Sequence, residues 1–354
     1  MPILLHLQTA VIIHLMKKKV VFITRLFYPH LGGVEKQVMG LSKVLLKKGY
    51  QITVITEKYN NKLKDNENIN GIDVIRISYP QLPIIGLLVI WLKMLTKCRL
   101  FFSSSLIHAY GSFIWILPLR IIIFWKHYFT TFFGWEGIYP IPLRFIILRK
   151  LVQKLSHKTT ADAGFIEKYY KVKANVIRYP SANTVTGVKN NIKKDEILYV
   201  GRLDEDVGIL NILAALKELG NYNVTFCGDG VYKNECSDYG KVLGFTNPEK
   251  YYSKSRICLS AGHTSIIEAF FHKCLITTTY NNVLKRDYLL MTPFNKWIVV
   301  EKNPKILAKK IEYYMNYPEK SKTMVEEAYD WVQKQTWENM AKMYESLWGI
   351  KKET

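Results

Sequence analysis

The sequence predicts an α/β protein of two domains in series, each a parallel sheet wrapped by helices. The chain has 354 residues, more than one ordinary domain needs and enough for two. Short β-branched runs alternate with longer segments whose apolar residues recur at helical spacing. Each of two such series carries a glycine-bearing loop directly after its first strand, the place where open α/β sheets bind ligands.

The first element is a question of where the fold begins. Residues 1–15 are apolar but too short to span a bilayer, and they lack the charged start and small-residue cleavage site of a secretory signal. Met16-Lys17-Lys18-Lys19, followed by an apolar run, looks like a natural start. Residues 1–15 are therefore expected to be a start-site extension, with a short membrane-surface segment as the alternative. The first domain runs over 16–183. Val20 to Thr24 is a buried strand, and a glycine turn follows. Val34, Val38, Leu41, Val44 and Leu45 then mark a helix that Gly49 ends. Gln51 to Thr56 and Val74 to Ile77 are further strands, and a strand-turn-helix-strand unit implies a parallel sheet.

Three apolar stretches follow, at 82–100, 112–125 and 143–155. Neither of the first two is a clean span of about 20 apolar residues. The third alternates apolar residues with Arg144, Arg149, Lys150 and Lys154, as an amphipathic helix with a cationic face does. Helices packed on a parallel sheet account for each stretch equally well. Residues 183–195 are polar and read as a linker. The second domain, 184–335, has strands at 197–200, 223–227, 241–243, 256–259 and 275–279, with helices at 209–219 and 265–272. From Pro304 to Trp348 the tail is largely helical, and 336–354 forms the final helix.

Composition narrows the function classes. Hydrophobic residues make up 49% and charged residues 22%, so disorder is excluded as the default. Net charge is +21, and residues 1–185 hold 26 Lys/Arg against 8 Asp/Glu, a balance of +18. That asymmetry points to an anionic partner, nucleic acid or an anionic membrane; a Lys-rich composition with no partner behind it is the plain alternative. No nucleic-acid-binding motif is recognisable, so nucleic acid is not expected. The five cysteines form no CxxC pair and no metal-ligand spacing, which suits a reduced, cytoplasmic protein.

Four glycine-bearing loops carry the chemical signal. Leu31-Gly32-Gly33 joins a strand to a helix, where small residues let a ligand approach amides that favour anions. It is not the GxGxxG of dinucleotide sites, and a plain tight turn explains it as well. Gly201-Arg202-Leu203 follows the first strand of the second domain; Arg grips phosphate oxygens, or it pairs with the Asp204-Glu205-Asp206 run. That run is read as a helix-start acid cluster rather than a metal-binding pair. Gly228-Asp229-Gly230 makes a further tight turn. Gly262-His263-Thr264-Ser265 leads into a helix with Glu268, a phosphate cradle with a carboxylate for ribose hydroxyls. Ordinary capping, with Glu268 at about the third helical position, is compatible with that role.

In order and spacing these motifs resemble the retaining glycosyltransferases of family 4, which have the GT-B fold of two facing Rossmann-like domains. The resemblance covers 16–348. It rests on Phe27-Tyr28-Pro29-His30-Leu31-Gly32-Gly33-Val34-Glu35, Ile107-His108-Ala109-Tyr110-Gly111, Tyr199-Val200-Gly201-Arg202-Leu203, Gly228-Asp229-Gly230, Ile267-Glu268-Ala269 and Thr336-Trp337-Glu338. The last of these resembles the start of a helix that, in the family, crosses back to the first domain.

The resemblance implies a nucleotide-sugar donor as substrate, no cofactor and no metal. It implies Gly32, Gly33, Gly201, Arg202, Gly228, Gly230, Gly262, His263, Thr264, Ser265 and Glu268 around the donor, with Arg202 and Glu268 as the catalytic pair. It places His108, Gly134, Trp135 and Glu136 on the acceptor side. Three positions depart from the family pattern: Val207 stands where a Lys is usual, Ser260 where a first Glu is usual, and Phe133 where a His is usual. His263, Lys285 and Arg286 are candidates to compensate.

The expected function is sugar transfer from a nucleotide diphosphate donor to a glycan or lipid-linked acceptor, in cell-envelope polysaccharide synthesis at the inner face of the membrane. The alternative is a GT-B-fold protein that binds a glycan, nucleotide or partner without transferring it.

Overall fold

A computed structural model describes residues 18–183, 195–220, 222 and 224–350. The expectations for residues 1–15 and for most of the 183–195 linker lie outside them. Two sheets organise the chain. The first comprises β1 (Lys19–Thr24), β2 (Gln51–Glu57), β3 (Asn66–Ile69), β4 (Ile72–Ile77), β5 (Leu106–Tyr110), β6 (Tyr128–Phe132), β7 (Lys158–Asp162) and β8 (Val176–Arg178). Their order is β3-β4-β2-β1-β5-β6-β7-β8, and all neighbours are parallel except β3 and β4.

The second sheet comprises β9 (Glu196–Val200), β10 (Val224–Cys227), β11 (Lys241–Val242), β12 (Ser255–Leu259), β13 (Leu275–Thr278) and β14 (Ile298–Val300). It is wholly parallel in the order β11-β10-β9-β12-β13-β14. In each sheet the first strand in sequence sits in the middle, so the loops after β1 and β9 open at a reversal of strand order. That is where an α/β sheet leaves a crevice.

The apolar stretches of the first domain resolve into short helices, Pro83–Leu95, Cys98–Ser103 and Leu117–Ile122, while Leu143–Leu155 is helical over its whole predicted length. Its cationic face is narrower than the sequence implies. Arg149 turns inward, its guanidinium 3.5 Å from the centre of the Tyr170 ring and bonded to Glu136 at 2.9 Å. Among the described residues no helix is long and apolar enough to cross a membrane, and none of the five cysteines forms a disulfide.

The C-terminal helix, Trp337–Leu347, belongs to the core of the first domain. Its Met340, Ala341, Tyr344 and Leu347, with Trp348 beyond it, share one apolar cluster with Phe22, Val38, Leu41 and Ile52. Gly40 makes this docking possible: a Cβ there would lie 2.5 Å from the Trp337 indole.

His108 is corrected by this packing. It is fully buried under the C-terminal helix and does not reach the cleft as an acceptor-side residue. Trp348 Nε1 donates to His108 Nδ1 at 3.0 Å, so the proton sits on Nε2, which meets Thr131 Oγ1 at 2.8 Å. Thr160 also donates to Thr131 Oγ1 at 2.8 Å, which leaves the Thr131 hydroxyl to donate to Tyr344 at 3.0 Å. Every member is satisfied only with a neutral imidazole, and burial holds His108 well below the usual imidazole pKa. As pH falls through about 6.5, the unfolded chain takes up a proton that the folded site refuses. Stability is then lost at about 1.4 kcal/mol per pH unit for this group. Thermal melting is therefore expected to fall between pH 7 and pH 5. His108→Phe should melt lower at pH 7 yet lose less on acidification; an unchanged slope would reject the assignment.

Candidate functional site

A cavity of about 870 Å³ lies between the two sheets. Leu31, Gly32, Gly33, Lys36, Phe133, Gly134, Trp135 and Asp162 line it from the first domain. Arg202, Val207, Gly228, the 261–265 loop, Glu268, Lys285 and Tyr288 line it from the second. All the predicted donor residues except Gly230 therefore line one cleft, but they do so on different terms.

Gly32 and Gly33 serve by being small rather than by adopting unusual dihedrals. Gly32 is extended, with φ −137° and ψ 176°, and neither glycine has positive φ. A Cβ on Gly32 would meet Glu35 Oε2 at 2.3 Å, and one on Gly33 would meet Thr264 Oγ1 at 3.0 Å. Gly33 thus lies against Thr264 across the domain boundary, with no room for a side chain. Beneath it, Glu35 is buried and bonded to His30 Nδ1 at 2.9 Å, and burial raises its carboxyl above the usual range.

The donor loop differs in its start. The helix runs from His263 to Phe271 with Gly262 as its N-cap, so neither Thr264 nor Ser265 caps it, and Glu268 sits a turn beyond the third position. Ser265 instead meets Ser260 at 2.5 Å and Gly262 O at 3.0 Å, while Ser260 also donates to Val200 O at 2.9 Å. Ser260 therefore ties strand ends together. His263 turns inward: its ring stacks on Tyr288 at 3.8 Å and Nε2 lies 2.8 Å from Tyr288 O. Its backbone N–H is occupied by the Tyr288 hydroxyl at 3.0 Å. Burial pushes the imidazole down to about 3, so His263 is a neutral wall, not a cation for phosphate.

Glu268 faces the cleft at the far end of this loop. Its Oε1 accepts from Lys36 Nζ at 2.7 Å, across the domain boundary, and its Oε2 from the Tyr252 hydroxyl at 3.3 Å. Lys36 carries no motif of its own and was not anticipated. Arg202 is 52% exposed and held by Asp204 at 2.6 Å and Asp206 at 2.5 Å. So exposed a pair is worth about 0–1 kcal/mol, little enough for a diphosphate to displace. The carboxylates of Asp204 and Asp206 are thus committed to Arg202, and that of Asp204 also accepts from Val231 N–H at 3.1 Å; among the described residues no group of three or more metal-ligating side chains forms.

Three predicted residues have structural reasons that the sequence hides. Gly228 lines the cleft, but it is glycine because a Cβ would lie 1.8 Å from Gly201 O; Gly230 stays outside it, against Leu203 at 2.6 Å. Glu136 also stays outside, bound by Arg149 and by the Tyr170 hydroxyl. Of the compensating candidates, Arg286 pairs with Asp287 at 3.0 Å. Lys285 does reach the cleft: Nζ donates to Ala261 O at 2.8 Å and lies 4.0 Å from the Tyr288 ring centre. Burial pushes its ammonium down to about 7.

The comparisons agree with this geometry. Residues 31–171 match the family described as Glycosyltransferase Family 4 and residues 186–331 that described as Glycosyl transferases group 1. No curated protein matches the chain significantly in sequence. In structure the chain is similar to sucrose-phosphate synthase from Thermosynechococcus elongatus, at 16% identity and TM-score 0.75, over 95% of this chain and 100% of that one. It is similar to a glycosyltransferase from Rickettsia africae ESF-5, at 18% and 0.66, over 94% and 98%. An E. coli structure described as trehalose-6-phosphate bound with UDP-2-fluoro glucose matches at 11% and 0.65, over 95% and 100%. With both halves matched and two parallel sheets facing one cleft, the chain belongs to the glycosyltransferases of family 4 and group 1, enzymes of the GT-B fold.

Proposed function

We propose that this glycosyltransferase moves a sugar from a nucleotide diphosphate donor to a lipid-linked or cell-envelope glycan at a membrane surface, with retention and without a metal. One observation carries the donor half: Arg202, the His263–Phe271 helix N-terminus and Glu268 line one cavity, opposite Gly33. The helix end and Arg202 supply positive charge for a departing diphosphate. Glu268 accepts from ribose hydroxyls once Lys36 yields. Lys285 supplies the second cation that Val207 cannot: a diphosphate beside it favours its protonated form, since opposite charge raises an amine's pKa. The neighbour bound with UDP-2-fluoro glucose supports a nucleotide-sugar donor.

The acceptor half rests on the surface of the first domain. Ile84, Leu88 and Leu92 follow one another at helical spacing on Pro83–Leu95, and Ile84 is 76% exposed. Ile121 is 79% and Phe124 69% exposed, and Trp125 stacks on Phe102 at 6.0 Å. Leu143, Ile147 and Leu151 form a second exposed row, flanked by exposed Arg144, Lys150 and Lys154. Apolar rows beside basic side chains suit the boundary of an anionic bilayer. The binding-only reading draws on Val207, Ser260 and Phe133, and turnover decides against or for it.

Calorimetry with UDP-, GDP- and ADP-sugars should find one donor whose affinity drops at least tenfold in Arg202→Ala; no binding of any sugar nucleotide would sink the donor assignment. Transfer with that donor should persist in EDTA, whereas binding without turnover would establish the binding-only protein. Gly33→Val, which drives a side chain onto Thr264, should cut transfer more than tenfold while melting within a few degrees of wild type. Flotation with anionic liposomes at low salt should carry the protein upward, and Ile84→Ser/Ile121→Ser/Phe124→Ser should leave it at the bottom; wild type that stays down would reject the membrane surface.

A further inference from the structure

Asp162 and Arg178 are neighbours in the first sheet, paired in register at the ends of β7 and β8. Both are charged and both are enclosed. Arg178 is 4% exposed, with its guanidinium over the Phe133 ring at 4.8 Å and the Tyr110 ring at 5.8 Å. Its contact to Asp162, Nη2 to Oδ1, is 3.5 Å, too long for a good hydrogen bond. Among the described residues, Nε, Nη1 and Nη2 of Arg178 and Oδ1 of Asp162 make no hydrogen bond.

Stability does not account for such a pair. A buried ion pair repays its desolvation only with close geometry and with the remaining donors and acceptors satisfied, and each orphaned polar group costs further. Here the geometry is loose, and the donors rest against aromatic faces. Asp162 lines the cleft and Arg178 stands buried behind it, and unsatisfied polar groups at a cleft wall point to a ligand that completes them.

The position says which part of a ligand. Asp162 lines the cavity between the Phe133–Trp135 loop of the first domain and Gly262, His263 and Tyr288 of the second. Arg178 is near enough to help hold the His263 imidazole neutral, and Asp162 near enough to help raise the Tyr288 hydroxyl. The pair therefore lies one layer from the helix N-terminus proposed for the diphosphate, toward the acceptor side. In a nucleotide sugar that layer holds the sugar. It is also where this chain is poor in polar groups, since Phe133 is apolar and Ser260 is tied to Val200 and Ser265.

We propose that Asp162 and Arg178 form the subsite for hydroxyl groups of the transferred sugar, an assignment that rests on the donor reading above. The carboxylate accepts from neighbouring hydroxyls, and the guanidinium donates to one of their oxygens, so that one sugar face satisfies both side chains. Phe133, which stacks under Arg178, then acts as its platform.

Calorimetry tests this with UDP-glucose, GDP-mannose and ADP-glucose, each against its own nucleoside diphosphate. For the pair that wild type binds, Asp162→Asn should weaken the nucleotide sugar at least tenfold while the diphosphate alone stays within twofold. Arg178→Lys, which keeps the charge and removes the planar fork, should show the same split if Asp162→Asn does not fold. Equal losses for both ligands, or no loss for either, overturn the subsite and leave the donor assignment standing. Wild type that binds none of the six overturns the donor assignment and the subsite with it.

Discussion

The point where the chain leaves the first domain is anchored by one side-chain amide. Gln37, buried in the first helix, donates to Ser181 O at 3.0 Å and accepts from Ser181 N–H at 3.1 Å. The backbone is thereby fixed where the chain leaves the first sheet. Its return is fastened to the same spot: Ser181 Oγ donates to Thr336 O at 3.1 Å, Ala182 N–H to Gln335 O at 3.3 Å, and Trp337 Nε1 to Asn183 at 2.9 Å. Outgoing and returning strands of chain thus cross together beneath the Gly33–Lys47 helix. The N-terminus of that same helix, at Gly33, faces Thr264 over the cleft. One helix therefore touches both the chain crossing and the mouth of the cleft.

Within that frame the cleft gathers charged side chains, each already engaged by a partner. Arg202 lies at the mouth in the custody of two aspartates, and Lys285 lies deeper with its proton loosened by burial. Glu268 is bridged to the opposite domain by Lys36. On the proposed donor reading, each of these partners is one that an anionic, hydroxyl-rich ligand would replace. Exchange of that kind spares a ligand most of the cost of stripping bare charges of solvent.

Much of this was legible in advance where pattern and backbone agree. The Leu143–Leu155 helix, the Gly33–Lys47 helix and the strands beside each glycine loop follow from apolar spacing. The two-domain α/β class follows from their alternation. What escaped did so for local reasons. β6 and β7 hide behind Thr130, Thr131, Thr159 and Thr160, which look polar but spend their hydroxyls inside the sheet. β8 and β14 have three residues each, too few to show a period. In the site, glycines and Arg202 were visible as loop residues. The reason for Gly228, a neighbouring loop 1.8 Å from where its Cβ would stand, is tertiary. His108 belongs to a recognisable motif, but it points at a helix more than 200 residues away. Asp162 and Arg178 are joined only by strand pairing, and no spacing rule links them.

The C-terminal helix has a consequence for how the protein is made. The core of the first domain is unfinished without Tyr344, Leu347 and Trp348, and His108 has no acceptable partner for Nδ1 until Trp348 arrives. These residues leave the ribosome only after the whole second domain has done so. At ordinary elongation rates the first domain waits on the order of ten seconds or more, with an apolar groove and a buried imidazole open to water. Its completion follows the synthesis of the second domain rather than preceding it. A chain interrupted before Tyr344 would carry a whole second domain beside a first domain that cannot seal.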